Sequence, residues 1–232
     1  MEDRLAQAVK HFWGVRSGQA SRVGGGDRDG RAAVTGGKQL DGFLRLLKAL
    51  LVENDIPSEW IKLDARLDLP GYYRPTKRWD LLVIDGERLL AVVELKSQVG
   101  PSFGNNFNNR VEEAVGSAQD LHTAYRERAF GAVPSPWLGY LMLLEDCPAS
   151  RSVVRISQPF FSVFDEFNDT SYARRYELLG ERLVLERLYT RSCLILSERS
   201  SGARGGYSEP NPALTFAGFI KSLIAHCRGG NP

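Results

Sequence analysis

Cysteine, histidine and methionine are scarce in this sequence, at three, three and two residues among 232. Cys147, Cys193 and Cys227 are odd in number and far apart, which excludes a disulfide framework or a zinc knuckle and leaves them as reduced thiols. His11, His122 and His226 have no metal-ligand spacing, so no chemistry is assigned to them. No apolar run approaches the length of a membrane span. The N-terminal "MEDRLAQAVKHFWG" lacks the basic start, apolar core and small-residue cleavage site of a signal peptide. The expected location is the cytoplasm, with no membrane partner. Charge of one sign is also missing: a formal +2 diagnoses no nucleic-acid partner, because a basic face can be balanced elsewhere.

What is present is a 43% apolar chain, long enough to bury one core as a single domain over 1–232. Leu5, Ala8, Val9 and Phe12 fall at helical spacing over residues 1–13. A Gly/Arg-rich segment at about 14–37 then loses periodicity and reads as a flexible arm. Arg16, Arg22, Arg28 and Arg31 on it would track phosphates if the arm were more than a connector. Leu40, Phe43, Leu44, Leu47, Leu50 and Leu51 predict an amphipathic helix over 39–54, ending before Pro57. The "GGK" ahead of it fails as a phosphate loop: Ala32 stands where that motif needs glycine, and Gln39 where it needs Ser or Thr.

Strands follow at about 80–85 and 89–96. "GPSFGNNFNNR" reads as a Gly/Asn-rich loop, "VEEAVGSAQDLHTAYRERAF" as a helix, and the continuous apolar "WLGYLMLLED" as a buried central strand. A helix near "SYARRYELLGERLVLERL", a strand at "SCLILSER" and a last helix around "ALTFAGFIKSLIAHC" complete an α/β chain.

The stretch "RWDLLVIDGERLLAVVELKSQVG" sets Asp80, Glu94 and Lys96 where the apolar runs of one hairpin end. Glu94 and Lys96, two apart on a strand, share a face. A three-residue turn, Gly86-Glu87-Arg88, would place Asp80 opposite Glu94, with Cβ atoms about 4.5–5.5 Å apart. Two carboxylates that close repel unless a cation lies between them, and Mg²⁺ takes one or two carboxylates plus waters and substrate phosphate. Lys96 beside it would orient or deprotonate a water, or stabilise charge developing on phosphorus. An exposed surface hairpin is the alternative reading of the same residues.

Asn105, Asn106, Asn108, Asn109 and Arg110 follow the second strand and carry groups that pair with base edges, although Asn and Gly also cluster in turns for backbone reasons. Arg74, Lys77 and Arg78 suit phosphate clamping. Glu145 and Asp146 suit cytosine N4 or loop capping, and Asp41 suits a further acid for the metal or a helix N-terminus. Glu112 and Glu113 read as first-turn acids of the next helix.

The blocks "GGKQLDGFL", "LPGYYRPTKRWDLLV", "VVELKSQVGPSFGNNFNNR" and "LLEDC" resemble the PD-(D/E)xK nuclease superfamily, and more closely its XhoI-type family of Type II restriction endonucleases. The resemblance implies a restriction-endonuclease-like fold with a central mixed β-sheet flanked by helices. It also implies an Mg²⁺-dependent homodimer acting on double-stranded DNA. The implied reaction cuts CTCGAG after its first base to leave 5′-phosphate ends with four-base 5′ overhangs, with a cognate DNA methyltransferase in the same cell. The superfamily's three residues carry over to Asp80, Glu94 and Lys96, with the Leu95 backbone carbonyl as a further metal ligand. Trp79 stands where the superfamily has proline, which puts strand entry in doubt rather than chemistry. A repair nuclease acting on ends or branched DNA, or a DNA-binding module without catalysis, are the competing readings.

Overall fold

All nine residues from Trp137 to Glu145 are buried, as expected of a strand covered on both faces. That strand is fourth of five in the sheet of a computed structural model that describes residues 1–20, 38–64, 67–158 and 160–229. The helices are α1 (Glu2–Ala20), α2 (Asp41–Val52), α3 (Phe103–Arg126), the one-turn α4 (Pro148–Arg151), α5 (Tyr172–Leu185), the one-turn α6 (Arg199–Gly202) and α7 (Phe216–Gly229). The strands are β1 (Ile61–Lys62), β2 (Asp68–Pro70), β3 (Thr76–Arg78), β4 (Leu81–Asp85), β5 (Arg88–Gln98), β6 (Trp137–Glu145) and β7 (Arg191–Ser197). The sheet runs β1-β4-β5-β6-β7, antiparallel up to β5 and parallel beyond it, while β2 and β3 form a separate small hairpin. This is the mixed sheet flanked by helices that the sequence predicts.

Alternation along the strands divides the core. Leu81, Val83, Ala91, Val93 and Leu95 pack with α1, α2 and α7, whereas Leu82, Val92, Tyr140 and Met142 pack with α3 and α5. The predicted helix over 39–54 and the strand at "WLGYLMLLED" are present within a residue or two. The three cysteines are free thiols, two of them buried. Among the described residues, no helix is long and apolar enough to cross a membrane.

Three expectations are corrected. Residues 14–20 continue α1 rather than starting an arm; Trp13 ties the helix down through an Nε1–H bond to Ser197 Oγ at 2.9 Å, with Gly202 closely apposed. Arg22, Arg28 and Arg31 lie outside the described residues. The Asn-rich stretch is not a loop, because α3 begins at Phe103. Buried Phe103 and Phe107, one helical turn apart, stack on Tyr172 and meet Tyr176 edge-on, at ring distances of 5.8 and 5.1 Å. Their burial overrides the weak helix propensity of asparagine. Glu112 and Glu113 therefore sit well inside the helix, not in its first turn.

Candidate active site

The hairpin turn has two residues, Gly86 and Glu87, in place of the predicted three. Gly86 takes φ 57°, which glycine adopts without strain, and Asp85 pairs with Arg88. A bulge at Leu90 then restores the predicted register, so that Leu81 lies opposite Val93. The Asp80 N–H donates to Val93 O at 3.2 Å, and Asp80 Oδ2 accepts from the Leu95 N–H at 2.7 Å. Asp80 thus stands at a bend just before β4, with its carboxylate bonded to the strand that carries Glu94. Trp79 answers the doubt about strand entry: its indole is buried, and its backbone N–H donates to Leu67 O at 3.0 Å, a bond proline could not make.

Glu94 is 3% exposed and held from two sides. Lys96 Nζ lies 2.7 Å from Oε1. Lys77 Nζ is 2.7 Å from Oε2 but off the direction of a hydrogen bond, so that oxygen is ion-paired without being hydrogen bonded. Lys77 also lies 4.1 Å from the centre of the Trp79 ring. Lys96 is 3.6 Å from Glu113, which pairs in turn with Arg110. Burial pushes the Asp80 carboxyl up; the Leu95 N–H opposes this and the Glu94 charge adds to it. For Lys96, burial pulls downward, but the carboxylates of Glu94, Glu113 and Asp80 together outweigh it and hold the ammonium above its ordinary value.

These groups open on a cleft of about 450 Å³ lined by Asp80, Lys96, Gln39, Arg16, Asn106 and Arg110, among others. Asn106 and Arg110 are one turn apart on α3 and share the cleft face. Asn105, Asn108 and Asn109 are exposed elsewhere on the helix. Across the cleft, Arg16 Nη1 donates to Gln39 Oε1 at 2.9 Å, and Gln39 Nε2 donates to Ser97 Oγ at 3.0 Å. This chain ties α1 to the strand that bears Lys96. Sequence reasoning missed Gln39 and Glu113, and it placed Arg16 on a loose arm.

The remaining candidates are spread around this centre. Asp41 is the first residue of α2 and is not among the cleft residues. Glu145 accepts the Gly100 N–H at 2.9 Å and faces Arg199 at 3.3 Å, while Asp146 is held by Arg151 at 2.6 and 2.8 Å. Arg74 is engaged by Asp120, whose Oδ2 accepts from its Nε at 2.7 Å and whose Oδ1 accepts the N–H groups of Tyr72 and Tyr73. Asp120, unremarked in the sequence, therefore pins the turn that leads to Lys77 and Asp80.

Among the described residues, no group of three or more His, Cys, Asp and Glu side chains forms a ready-made metal cage. The neighbouring carboxylates Asp80 and Glu94 fit a hard cation that completes its shell with water and substrate oxygens once a lysine gives up a Glu94 oxygen.

The family model for restriction endonuclease XhoI matches residues 19–209. The Type II restriction enzyme BstVI of Geobacillus stearothermophilus is 52% identical over 194 residues, covering 82% of this chain and 87% of that protein. The Type II restriction enzyme XhoI of Xanthomonas vasicola is 46% identical over 240 residues, 99% of this chain and 91% of its own. The Type II restriction enzyme AbrI of Azospirillum brasilense is 48% identical over 163 residues, 69% and 73% of the two chains. No solved structure matches. With a family model spanning most of its length and such relatives beside it, the chain belongs to the XhoI family of restriction endonucleases, whose activity is site-specific cleavage of DNA.

Proposed function

We propose that this chain is a Type II restriction endonuclease that hydrolyses one phosphodiester in each strand of a palindromic duplex site and leaves 5′-phosphate ends. The observation that carries the reading is Asp80 bonded to Leu95 beside Glu94, with Lys96 on Glu94, where Asp80 and Lys96 line a cleft that also presents Arg16, Asn106 and Arg110.

Asp80 and Glu94, with the Leu95 carbonyl, would hold Mg²⁺. Bound there, the ion would polarise a phosphoryl oxygen and lower the pKa of a water. Lys96, already paired with Glu94 and Glu113, brings a positive charge to the phosphate oxygens as water adds to phosphorus and the bond to the 3′ oxygen breaks. Asn106 and Arg110 face base edges, and Arg16 faces the backbone. The family resemblance implies CTCGAG cut after its first base, a homodimer matching the two-fold symmetry of the site, and a methyltransferase that protects the host.

The test is a digest of sequenced DNA with Mg²⁺, followed by end sequencing. Discrete ends at one palindrome support the proposal, and another hexamer would replace CTCGAG. Progressive trimming from ends would favour a repair nuclease. A strict monomer by light scattering, with and without DNA, refutes the two-fold part.

A further inference from the structure

Behind the catalytic acid the molecule buries a set of polar atoms without hydrogen bonds. Among the described residues these include Glu94 Oε2, Arg110 Nε and the hydroxyls of Tyr140 and Tyr176. Tyr140 is the residue of β6 in register with Glu94 of β5, so the two side chains rise side by side from one face of the sheet. Tyr176 comes down from α5 beside Phe107, which is three residues before Arg110 on α3. Both tyrosines are 2% exposed and Glu94 is 3% exposed. The Tyr140 hydroxyl lies within electrostatic reach of Tyr176, Arg110, Glu94 and Glu113, and that of Tyr176 within reach of Arg110 and Glu113.

Arg110 Nε and the two hydroxyls left bare would weaken the fold, and Glu94 Oε2 has Lys77 at 2.7 Å but no hydrogen bond; native proteins rarely carry several such atoms together. Buried water resolves the difficulty where two to four polar partners converge. One water can accept from Arg110 Nε–H and one tyrosine O–H and donate to the other hydroxyl and to Glu94 Oε2, and a second water would accept that other hydroxyl's proton.

We infer that Tyr140 and Tyr176 are positioning residues, which through one or two internal waters fix Arg110 on the cleft wall and Glu94 behind Lys96. The inference rests on the endonuclease reading for its consequence, though not for the water itself. Arg110 pairs with Glu113, and Glu113 neighbours Lys96, so the network supports both the carboxylate and the lysine. Partners of this kind behind a metal-binding carboxylate typically matter by about 10–100-fold in metal affinity or activity.

The experiment combines a crystal structure that resolves ordered water with Tyr140→Phe and Tyr176→Phe. These are compared with wild type in thermal melting, in metal-free DNA binding, and in single-turnover cleavage across an Mg²⁺ titration. The expected result is a water touching at least three of the four atoms. Each variant should melt lower, lose part of the discrimination that Arg110 gives in metal-free DNA binding, and show a metal requirement or rate worse by about 10-fold or more. Hydroxyls bonded directly to protein groups overturn the inference. So do variants that melt higher, as loss of a truly bare hydroxyl would make them, or variants whose metal requirement is unmoved. Failure of the endonuclease reading shows separately, as wild-type protein that leaves DNA uncut, and the water and melting measurements still decide the network.

Discussion

Replacing Asp120 with alanine should loosen the approach to the active site without touching a catalytic group. Asp120 is 3% exposed and accepts three hydrogen bonds, from the Tyr72 and Tyr73 backbone N–H groups at 2.7 and 2.9 Å and from Arg74 Nε at 2.7 Å. Bonds to a charged acceptor contribute about 1.5–3 kcal/mol each. Arg74 is 45% exposed, so its share is discounted, and the freed N–H groups regain some water. The expected loss is about 2–4 kcal/mol, a large part of a typical stability of about 5–15 kcal/mol.

The pH dependence adds a signature. Burial alone would raise the Asp120 carboxyl, but the two backbone donors and Arg74 outweigh it and hold the group below its ordinary value. A depressed carboxylate contributes stability above its unfolded value, near 3.9, and loses it as pH falls through the folded value. The gap between wild type and Asp120→Ala, measured by urea unfolding, should therefore be full at neutral pH and narrow below about pH 4. Single-turnover cleavage should fall as well, because the turn leads to Lys77 and Asp80. A loss under about 0.5 kcal/mol, or one that does not narrow in acid, refutes the assignment.

Lys96→Ala should retain DNA binding and lose about 10²–10⁴-fold in single-turnover rate; a loss below tenfold would make the lysine structural. Arg110→Ala or Asn106→Ala should cost about 1–3 kcal/mol of discrimination at one base position, whereas Arg16→Ala should weaken all duplexes alike and reduce the salt slope by about one. Competition binding with one-base-altered duplexes across a salt series separates the two classes, and equal behaviour defeats the division. Gly139→Ala should destabilise by at least the upper end of about 1–3 kcal/mol, since its Cβ would lie 2.2 Å from the Trp137 ring and 2.7 Å from Phe219; unchanged melting would contradict that packing.

The hairpin was legible because its signal is local. Short continuous apolar runs, ended by Asp80, Glu94 and Lys96, specify strand and chemistry together. The bulge at Leu90 was not, since two turn lengths give the same register near Asp80 once an extra residue is absorbed. The start of α3 was hidden for a physical reason: Asn and Gly favour turns, and the aromatic residues that hold the helix, Tyr172 and Tyr176, lie more than sixty residues away. Read as helix, the same residues would have shown Asn106, Arg110 and Glu113 on one face at spacings of four and three. Arg16 was obscured by Gly14 and Gly18, which break no helix here because Trp13 and Gln39 hold it from outside its own segment. Asp120 carried no signal in the sequence, as its partners are backbone groups of a distant turn.

The charges of the site explain how two carboxylates can share a buried face when the protein folds. Asp80, Glu94 and Glu113 stand against Lys77, Lys96 and Arg110, three anions to three cations. Asp80 has the weakest claim on these cations, as its close partner is the neutral Leu95 N–H, and its carboxyl is the one pushed upward. Glu94 has the strongest, with a lysine at 2.7 Å from each oxygen. For Glu94 to ligate a divalent cation, at least one lysine must give up its oxygen. The two lysines differ in what awaits them: Lys96 has Glu113 at 3.6 Å, while Lys77 has the face of Trp79 at 4.1 Å. Lys96 can shift and remain over the cleft, where the proposed reaction would place a phosphate, whereas Lys77 can retire onto the indole and clear the inner oxygen. On this reading the tryptophan does two jobs at the superfamily's proline position, seating Asp80 through its backbone and receiving Lys77 on its ring.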